Sequence, residues 1–220
     1  MRIVLFLIGC ILTIFLGVSI FAEKQYAFIS LILAVLSCAF LVSGFDKRHT
    51  HVRRLVMIAV MTALSVLGRF LFAAIPGFKP MTAVIVLTGM YLGYEAGFLC
   101  GAATALLSNF YFGQGPWTPF QMLAFGILGL LAGIFGKSLK NSRIMLIVYG
   151  IFAGVAYSFM MDIWTVLWAY EGFSLNGYLA ALSTAVPYTI AYALSNVVFL
   201  MLIRKPFGSR LNRMIVKYRI

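Results

Sequence analysis

The chain has little charge, and very little of that charge is acidic. Only 10% of its 220 residues are charged, with 5 Asp+Glu against 17 Lys+Arg, and histidine occurs twice. A soluble domain averages roughly 25% charged residues, so the polar surface of a water-soluble fold is missing. This shortage excludes a cytosolic enzyme, a secreted module and a nucleic-acid-binding domain, even though the net charge is +12. Cysteine is scarce as well. Cys10, Cys38 and Cys100 stand singly in apolar runs without CxxC spacing, which argues against a disulfide framework or a metal centre. HExxH, GxSxG and Gly-rich phosphate loops are absent, so hydrolytic and nucleotide chemistry lack their usual carriers. His49 and His51 lie in a basic stretch with no further Cys or His to complete a metal site. No catalytic activity, metal or resident cofactor is expected.

What the chain does have is apolar length. It is 63% hydrophobic, with a mean hydropathy of +1.04, which reads as an all-α polytopic membrane protein. A spanning helix needs about 20 mostly apolar residues. Six runs qualify: Ile3–Phe21, Tyr26–Phe45, Leu55–Phe72, Thr118–Phe135, Ile144–Trp168 and Leu182–Ile203. Leu7-Ile8-Gly9-Cys10 looks like a lipoprotein cleavage box, but the apolar run continues past it to Phe21, so it reads as a retained anchor helix. A seventh run, Met81–Tyr111, holds 31 residues with the lone charge Glu95 near its middle. It is one tilted helix or two short helices with a tight turn at Gly93–Gly97.

Charge placement decides between the two. The basic clusters are Lys47, Arg48, Arg53 and Arg54; Lys137, Lys140 and Arg143; and Arg204, Lys205, Arg210, Arg213, Lys217 and Arg219. Two helices make eight spans and put all three clusters and Arg2, 14 of the 17 basic residues, on the cytoplasmic side. Both termini are then cytoplasmic, and Glu95 sits at a wet turn rather than in lipid. The expected outer loops are Ala73–Pro80, Phe112–Trp117 and Tyr170–Ala181, rich in aromatic residues, Gly and Pro: IPGFKP, FGQGPWTP and YEGFSLNGY. Single aromatics there fit an interfacial belt; three such loops on one face suggest a cap over a ligand.

Small residues recur at four-residue spacing: Gly89, Gly93, Gly97 and Gly101; Gly129 and Gly133; Gly150 and Gly154; Ala59 and Ala63. This spacing lets helix backbones approach closely in lipid, and internal packing is the plain reading for the glycines. The polar residues expected at membrane depth are Arg69, Asn109, Asp162 and Asn196, with Gln121 near a helix start. An intramembrane carboxylate is a functional candidate, and Arg69 or Lys79 is the expected partner of Asp162; a packing ion pair is the alternative.

The last six spans, about residues 52–206, resemble the S components of energy-coupling factor (ECF) transporters. The resemblance is carried in order by Ala59-x-x-x-Ala63, the loop Ile75-Pro76-Gly77-Phe78-Lys79-Pro80, the hairpin Leu92-Gly93-Tyr94-Glu95-Ala96-Gly97 and the stretch Phe112-Gly113-Gln114-Gly115-Pro116-Trp117-Thr118-Pro119-Phe120-Gln121-Met122. That last stretch looks like the corresponding loop of S components grouped with cobalamin and related precursors. The chain departs from the six-helix pattern in residues 1–50, which carry two extra helices before a core at 51–206 and a basic tail at 207–220. The resemblance implies a membrane subunit of the bacterial cell membrane that captures a vitamin beneath its outer loops, cobalamin or a related precursor being the expected substrate. It then docks through Ala59 and Ala63 on a transmembrane scaffold bound to two cytoplasmic ATPases, and topples to release substrate inward. The substrate-binding candidates are Phe78, Lys79, Asn109, Tyr111, Gln114, Trp117, Gln121, Asp162, Trp164, Trp168 and Tyr188. The alternatives are a stand-alone ion-coupled transporter using Asp162 and Arg69, and a membrane protein with a structural role only.

Overall fold

A computed structural model describes residues 52–170 and 173–218, together with Gly9 and Ile32. The two expected N-terminal spans therefore lie outside the described residues, apart from Gly9 and Ile32, which are helical. So do His49 and His51. The described residues form helices and turns with no strand. The helices are α1 (Val52–Leu71), α2 (Met81–Leu92), α3 (Tyr94–Phe112), α4 (Thr118–Ile134), α5 (Gly136–Asn141), α6 (Arg143–Ala169) and α7 (Leu175–Tyr218).

Apolar content sorts these helices by depth. Helix α2 is hydrophobic all round, and Ala83, Ile85, Val86 and Leu87 are fully buried. A helix of that pattern belongs in an interior, and α2 packs against α1, α3, α4 and α7. At about 1.5 Å per residue, its 12 residues span only about 18 Å. Neighbouring helices supply the rest of its surroundings. Helices α1, α6 and α7 are long and apolar enough to cross a membrane. They expose Val60, Leu67, Val148, Ile151, Val186 and Ile190, as helices facing lipid do.

The ambiguous 31-residue run is two helices, as the charge argument requires, and the break is one residue. Gly93 has φ 94° and ψ 171°, a region open essentially to glycine alone. Its N–H still bonds Gly89 O at 2.9 Å and its carbonyl accepts from Gly97 N at 3.0 Å, so it closes α2 and opens α3. Arg54 Nη2 caps Leu92 O at 2.9 Å and lies 3.8 Å from Glu95. Glu95 is thus ion-paired at a helix N-terminus, where a negative charge is favoured, rather than simply wet. Gly93→Ala should lower stability by about 1–3 kcal/mol, read as a lower thermal unfolding midpoint in detergent; an unchanged midpoint would argue against this turn.

The glycine repeats are internal contacts. A Cβ on Gly97 or Gly129 would overlap the other's backbone, and one on Gly154 would lie 2.6 Å from Ala193 Cα. Backbone-to-backbone approach therefore joins α3 to α4 and α6 to α7. Ala59 and Ala63 differ: both are exposed on α1.

The last helix is longer than expected at both ends. The expected outer loop Tyr170–Ala181 is shorter in the structure, because residues from Leu175 onward are helical. Ser174 explains the early start: its hydroxyl accepts from Gly177 N at 3.2 Å, an N-cap arrangement. The 44 residues of α7 extend about 66 Å, more than twice a hydrocarbon core of about 30 Å. Its basic end is neither loose nor separate. Phe207 and Ile215 pack against the core with Leu211 buried, and Arg53 Nη1 bonds Tyr218 O at 3.3 Å. Pro206 sits inside this helix and removes one N–H from its ladder without ending it. Helix α5, which apolar length cannot announce, turns the chain between α4 and α6.

Candidate functional site

Where α1 and α3 end and α2 and α4 begin, four segments converge on a hydrogen-bonded core. Arg69, in the last turn of α1, donates from Nη1 to Ser108 Oγ at 2.5 Å and to Asn109 Oδ1 at 2.8 Å. Asn109 is buried near the end of α3. Its Nδ2 donates to Thr118 Oγ1 at 3.0 Å and to Gln121 Oε1 at 2.8 Å. Thr118 opens α4 and donates to Gln114 Oε1 at 2.9 Å, while Gln114 Nε2 reaches back to Leu106 O at 3.0 Å. The Gln-Gly-Pro-Trp-Thr-Pro loop is folded by these contacts. Gly113 (φ 105°) ends α3, and Pro119 falls in the first turn of α4, where its missing N–H costs nothing. The Trp117 ring lies against Gly115, where any Cβ would collide with it.

The loop before α2 is pinned to α7. Lys79 N donates to Ser195 Oγ at 2.8 Å, and Ser195 donates back to Lys79 O at 3.0 Å. Gly77 (φ 73°) makes the turn, and a Cβ there would lie 2.9 Å from Ala191 Cβ. This clamp brings Lys79 beside Arg69, and both stand over the Phe112 ring, at 4.5 Å for Arg69 Cζ and 5.6 Å for Lys79 Nζ. The negative ring face stabilises them. No described carboxylate lies within ion-pair distance of either cation; among the described residues the ion pair formed is Arg54–Glu95.

Between these cations and helices α6 and α7 lies a cavity of about 110 Å³. Arg69, Lys79, Gln121 and Asn196 supply its polar lining, and Phe125, Tyr157 and Tyr192 its aromatic wall. Phe125 and Tyr157 stack at 4.4 Å with 25° between planes, and Tyr192 meets Tyr157 edge-on at 5.2 Å. Asn196 is fixed by donating to Gly150 O at 3.3 Å. Gly154 also borders the cavity. The arrangement suits a planar aromatic ligand carrying hydrogen-bond acceptors, because the convergent polar groups are mostly donors.

The structure distributes the sequence-predicted residues unevenly. Lys79 and Gln121 line the cavity; Asn109 and Gln114 hold it from behind. Phe78 packs with Phe199 at 5.1 Å in an adjoining aromatic cluster. Trp164 is buried against Phe120 at 5.2 Å, with Trp168 beyond it at 5.9 Å. Tyr111, Trp168 and Tyr188 are more than half exposed, positions that suit a membrane-interface belt. Asp162 is buried, and its Oδ2 has no hydrogen-bond partner among the described residues. The expected ion pair of Asp162 with Arg69 or Lys79 does not form, because Arg69 is committed to Ser108 and Asn109. Phe125, Tyr157 and Tyr192 were not anticipated as site residues. They sit inside apolar runs, where a ring reads equally as core.

No curated protein and no solved structure matches the chain. One family model does, over residues 49–213, and it describes the S component of an ECF-type riboflavin transporter. The expected closeness to the cobalamin group gains no support from it. With a match over three quarters of its length and helices of membrane-crossing length and composition, the chain is a multi-pass membrane protein that belongs to the ECF transporter S-component family.

Proposed function

We propose that this protein captures a flavin from outside the cell and delivers it through an ATP-driven ECF importer. The observation that carries the proposal is the cavity wall. Tyr157, Phe125 and Tyr192 line it with aromatic rings, and Arg69, Lys79, Gln121 and Asn196 add polar groups to the same lining. An isoalloxazine ring is planar and edged with carbonyl oxygens and ring nitrogens, which such donors satisfy. The matching riboflavin-type family model supports the same choice over the cobalamin expected from the loop motif. Asp162, whose buried Oδ2 has no hydrogen-bond partner among the described residues, does not line this cavity and has no part in the proposed site.

The proposed arrangement has eight spans with both termini cytoplasmic, so that the cavity opens outward and the basic ends of α1, α6 and α7 face inward. In this reading the core at 51–206 binds substrate; residues 1–50 add two helices, and the basic segment 207–220 lies at the inner face. Ala59 and Ala63, exposed on α1, dock on the transmembrane scaffold, whose two ATPase subunits hydrolyse ATP. The chain itself catalyses nothing.

Mass spectrometry of small molecules extracted from the purified chain tests the substrate. A flavin is expected; a corrinoid would overturn the flavin reading. With added riboflavin, quenching of flavin fluorescence reports affinity. Tyr157→Ala should weaken binding by roughly 5–150-fold, on the basis of about 1–3 kcal/mol per stacked ring. Tyr157→Phe should stay near the native value, since it keeps the ring. Undiminished binding in Tyr157→Ala would place the ligand elsewhere.

A further inference from the structure

At the opposite end of the bundle lies a second and larger cavity, of about 640 Å³. The two are separated by the length of α2: Met81 borders the first and Tyr91 the second. Lys140, Arg143, Arg204 and Lys205 line this second cavity. Among the described residues no carboxylate lines it. Four cations sharing one concave site repel one another, and among the described residues none of them has an anionic partner.

Their positions are held by the fold. Lys140 comes from α5, which exists only to turn the chain between two spans, and its ammonium lies 4.6 Å above the Tyr91 ring. Arg204 donates to the Lys140 carbonyl, tying α7 to α5. Gly208 leaves room for Tyr91: a Cβ there would run into the phenol. Arg143 is the first residue of α6, so the positive end of that helix adds to the field. Arg204 and Lys205 directly follow the apolar run that ends at Ile203, which puts the site at the depth where hydrocarbon gives way to headgroups. Met201, also in the lining, provides an apolar floor on the hydrocarbon side.

From this placement we propose that the cavity is a binding site for the phosphate of an anionic phospholipid headgroup. Basic pockets between helices at the cytoplasmic surface suit such headgroups, and the Arg side chains offer forked donors to phosphate oxygens. A lipid held there joins α2, α5, α6 and α7 at their inner ends. It also anchors the orientation of the bundle by a contact that depends on headgroup charge.

Native mass spectrometry of the full chain, in micelles doped with either phosphatidylglycerol or phosphatidylcholine, tests the proposal. The wild type should retain phosphatidylglycerol in preference to phosphatidylcholine. In Lys140→Gln/Arg143→Gln/Lys205→Gln the preference should fall by about fivefold for each cation removed. In Arg210→Gln/Arg213→Gln, which alters cations of the same helix outside the cavity, it should persist. Equal loss in both variants would mean diffuse surface attraction and would overturn the site. Absence of any preference in the wild type would do the same. Inorganic phosphate added in lipid-free detergent separates the two sources of phosphate. If it binds with the same cation dependence while phosphatidylglycerol shows no preference, the ligand is a soluble phosphate and the lipid assignment fails. Riboflavin binding, measured on the same triple variant, should match the wild type because the outer cavity is remote; its loss would mark a misfolded variant, and Lys205→Gln alone then carries the test.

Discussion

Gly129→Leu should leave almost no folded protein. Gly129 on α4 faces Gly97 on α3 so closely that a Cβ on either would overlap the other's backbone, and Gly97 Cα would lie only 3.0 Å from a Cβ on Gly129. Gly89 on α2 also abuts the Gly129 carbonyl, so three helices share one point of contact. Extra methylenes in a well-packed core cost about 1–3 kcal/mol when side chains can move aside. Here the obstacle is helix backbone, and the only relief is to separate α3 from α4. That separation loses packing along the whole pair, against a total stability of about 5–15 kcal/mol. The check is the yield of monodisperse protein after detergent extraction, beside Val148→Leu, a change at an exposed position of α6. A monodisperse Gly129→Leu protein with the native unfolding midpoint would show that the helices do not pack this way.

Replacing Ala59 and Ala63 together by tryptophan should abolish flavin uptake while leaving flavin binding intact. Both alanines lie on the exposed side of α1, beside Val56 and Val60, whereas Met57, Ile58, Met61 and Thr62 face the core. Bulky side chains there point away from the core, and the cavity residue on the same helix, Arg69, lies more than one turn beyond Ala63. They prevent the close backbone approach on which helix association in lipid depends. At about 1–3 kcal/mol per misfitting side chain, two of them lower the docked fraction by roughly 30-fold or more. Uptake into proteoliposomes containing the scaffold and ATPase subunits, compared with fluorescence quenching of the isolated protein, separates the two effects. Loss of binding in the isolated variant would place these alanines in the core. Uptake that persists without ATPase subunits and collapses with an uncoupler would point instead to ion-coupled transport.

The candidate site was legible in the sequence only where polar residues interrupt an apolar chain. Lys79, Asn109, Gln114 and Gln121 stand out against their neighbours; the structure joins Asn109, Gln114 and Gln121 through Thr118 into one network and holds Lys79 separately on Ser195. Arg69 also stood out, but as a partner for Asp162; its real partners, Ser108 and Asn109, lie 39 and 40 positions away on another helix. The aromatic wall was hidden. Tyr157 and Tyr192 look like core residues of apolar helices, and whether a ring faces a void depends on what lies opposite it. The exposed aromatics Tyr111, Trp168 and Tyr188 were equally visible in the sequence, and the structure puts them on the bundle surface.

By itself, the sequence determined that this is a helical membrane protein, which of its ends carry positive charge, and that Met81–Tyr111 must turn back. Those conclusions follow from local quantities, since hydropathy, charge placement and a single glycine act within one segment of chain. Only the tertiary structure decided that the break falls at Gly93 and that the glycine repeats join α3 to α4 and α6 to α7. It also showed that α7 runs on past Pro206 as a packed helix, and that cations gather in two cavities at opposite ends of α2. Each of these is a matter of which side chains face one another across helices far apart in sequence. Such contacts are set by the packing of the whole bundle, and no local pattern encodes them.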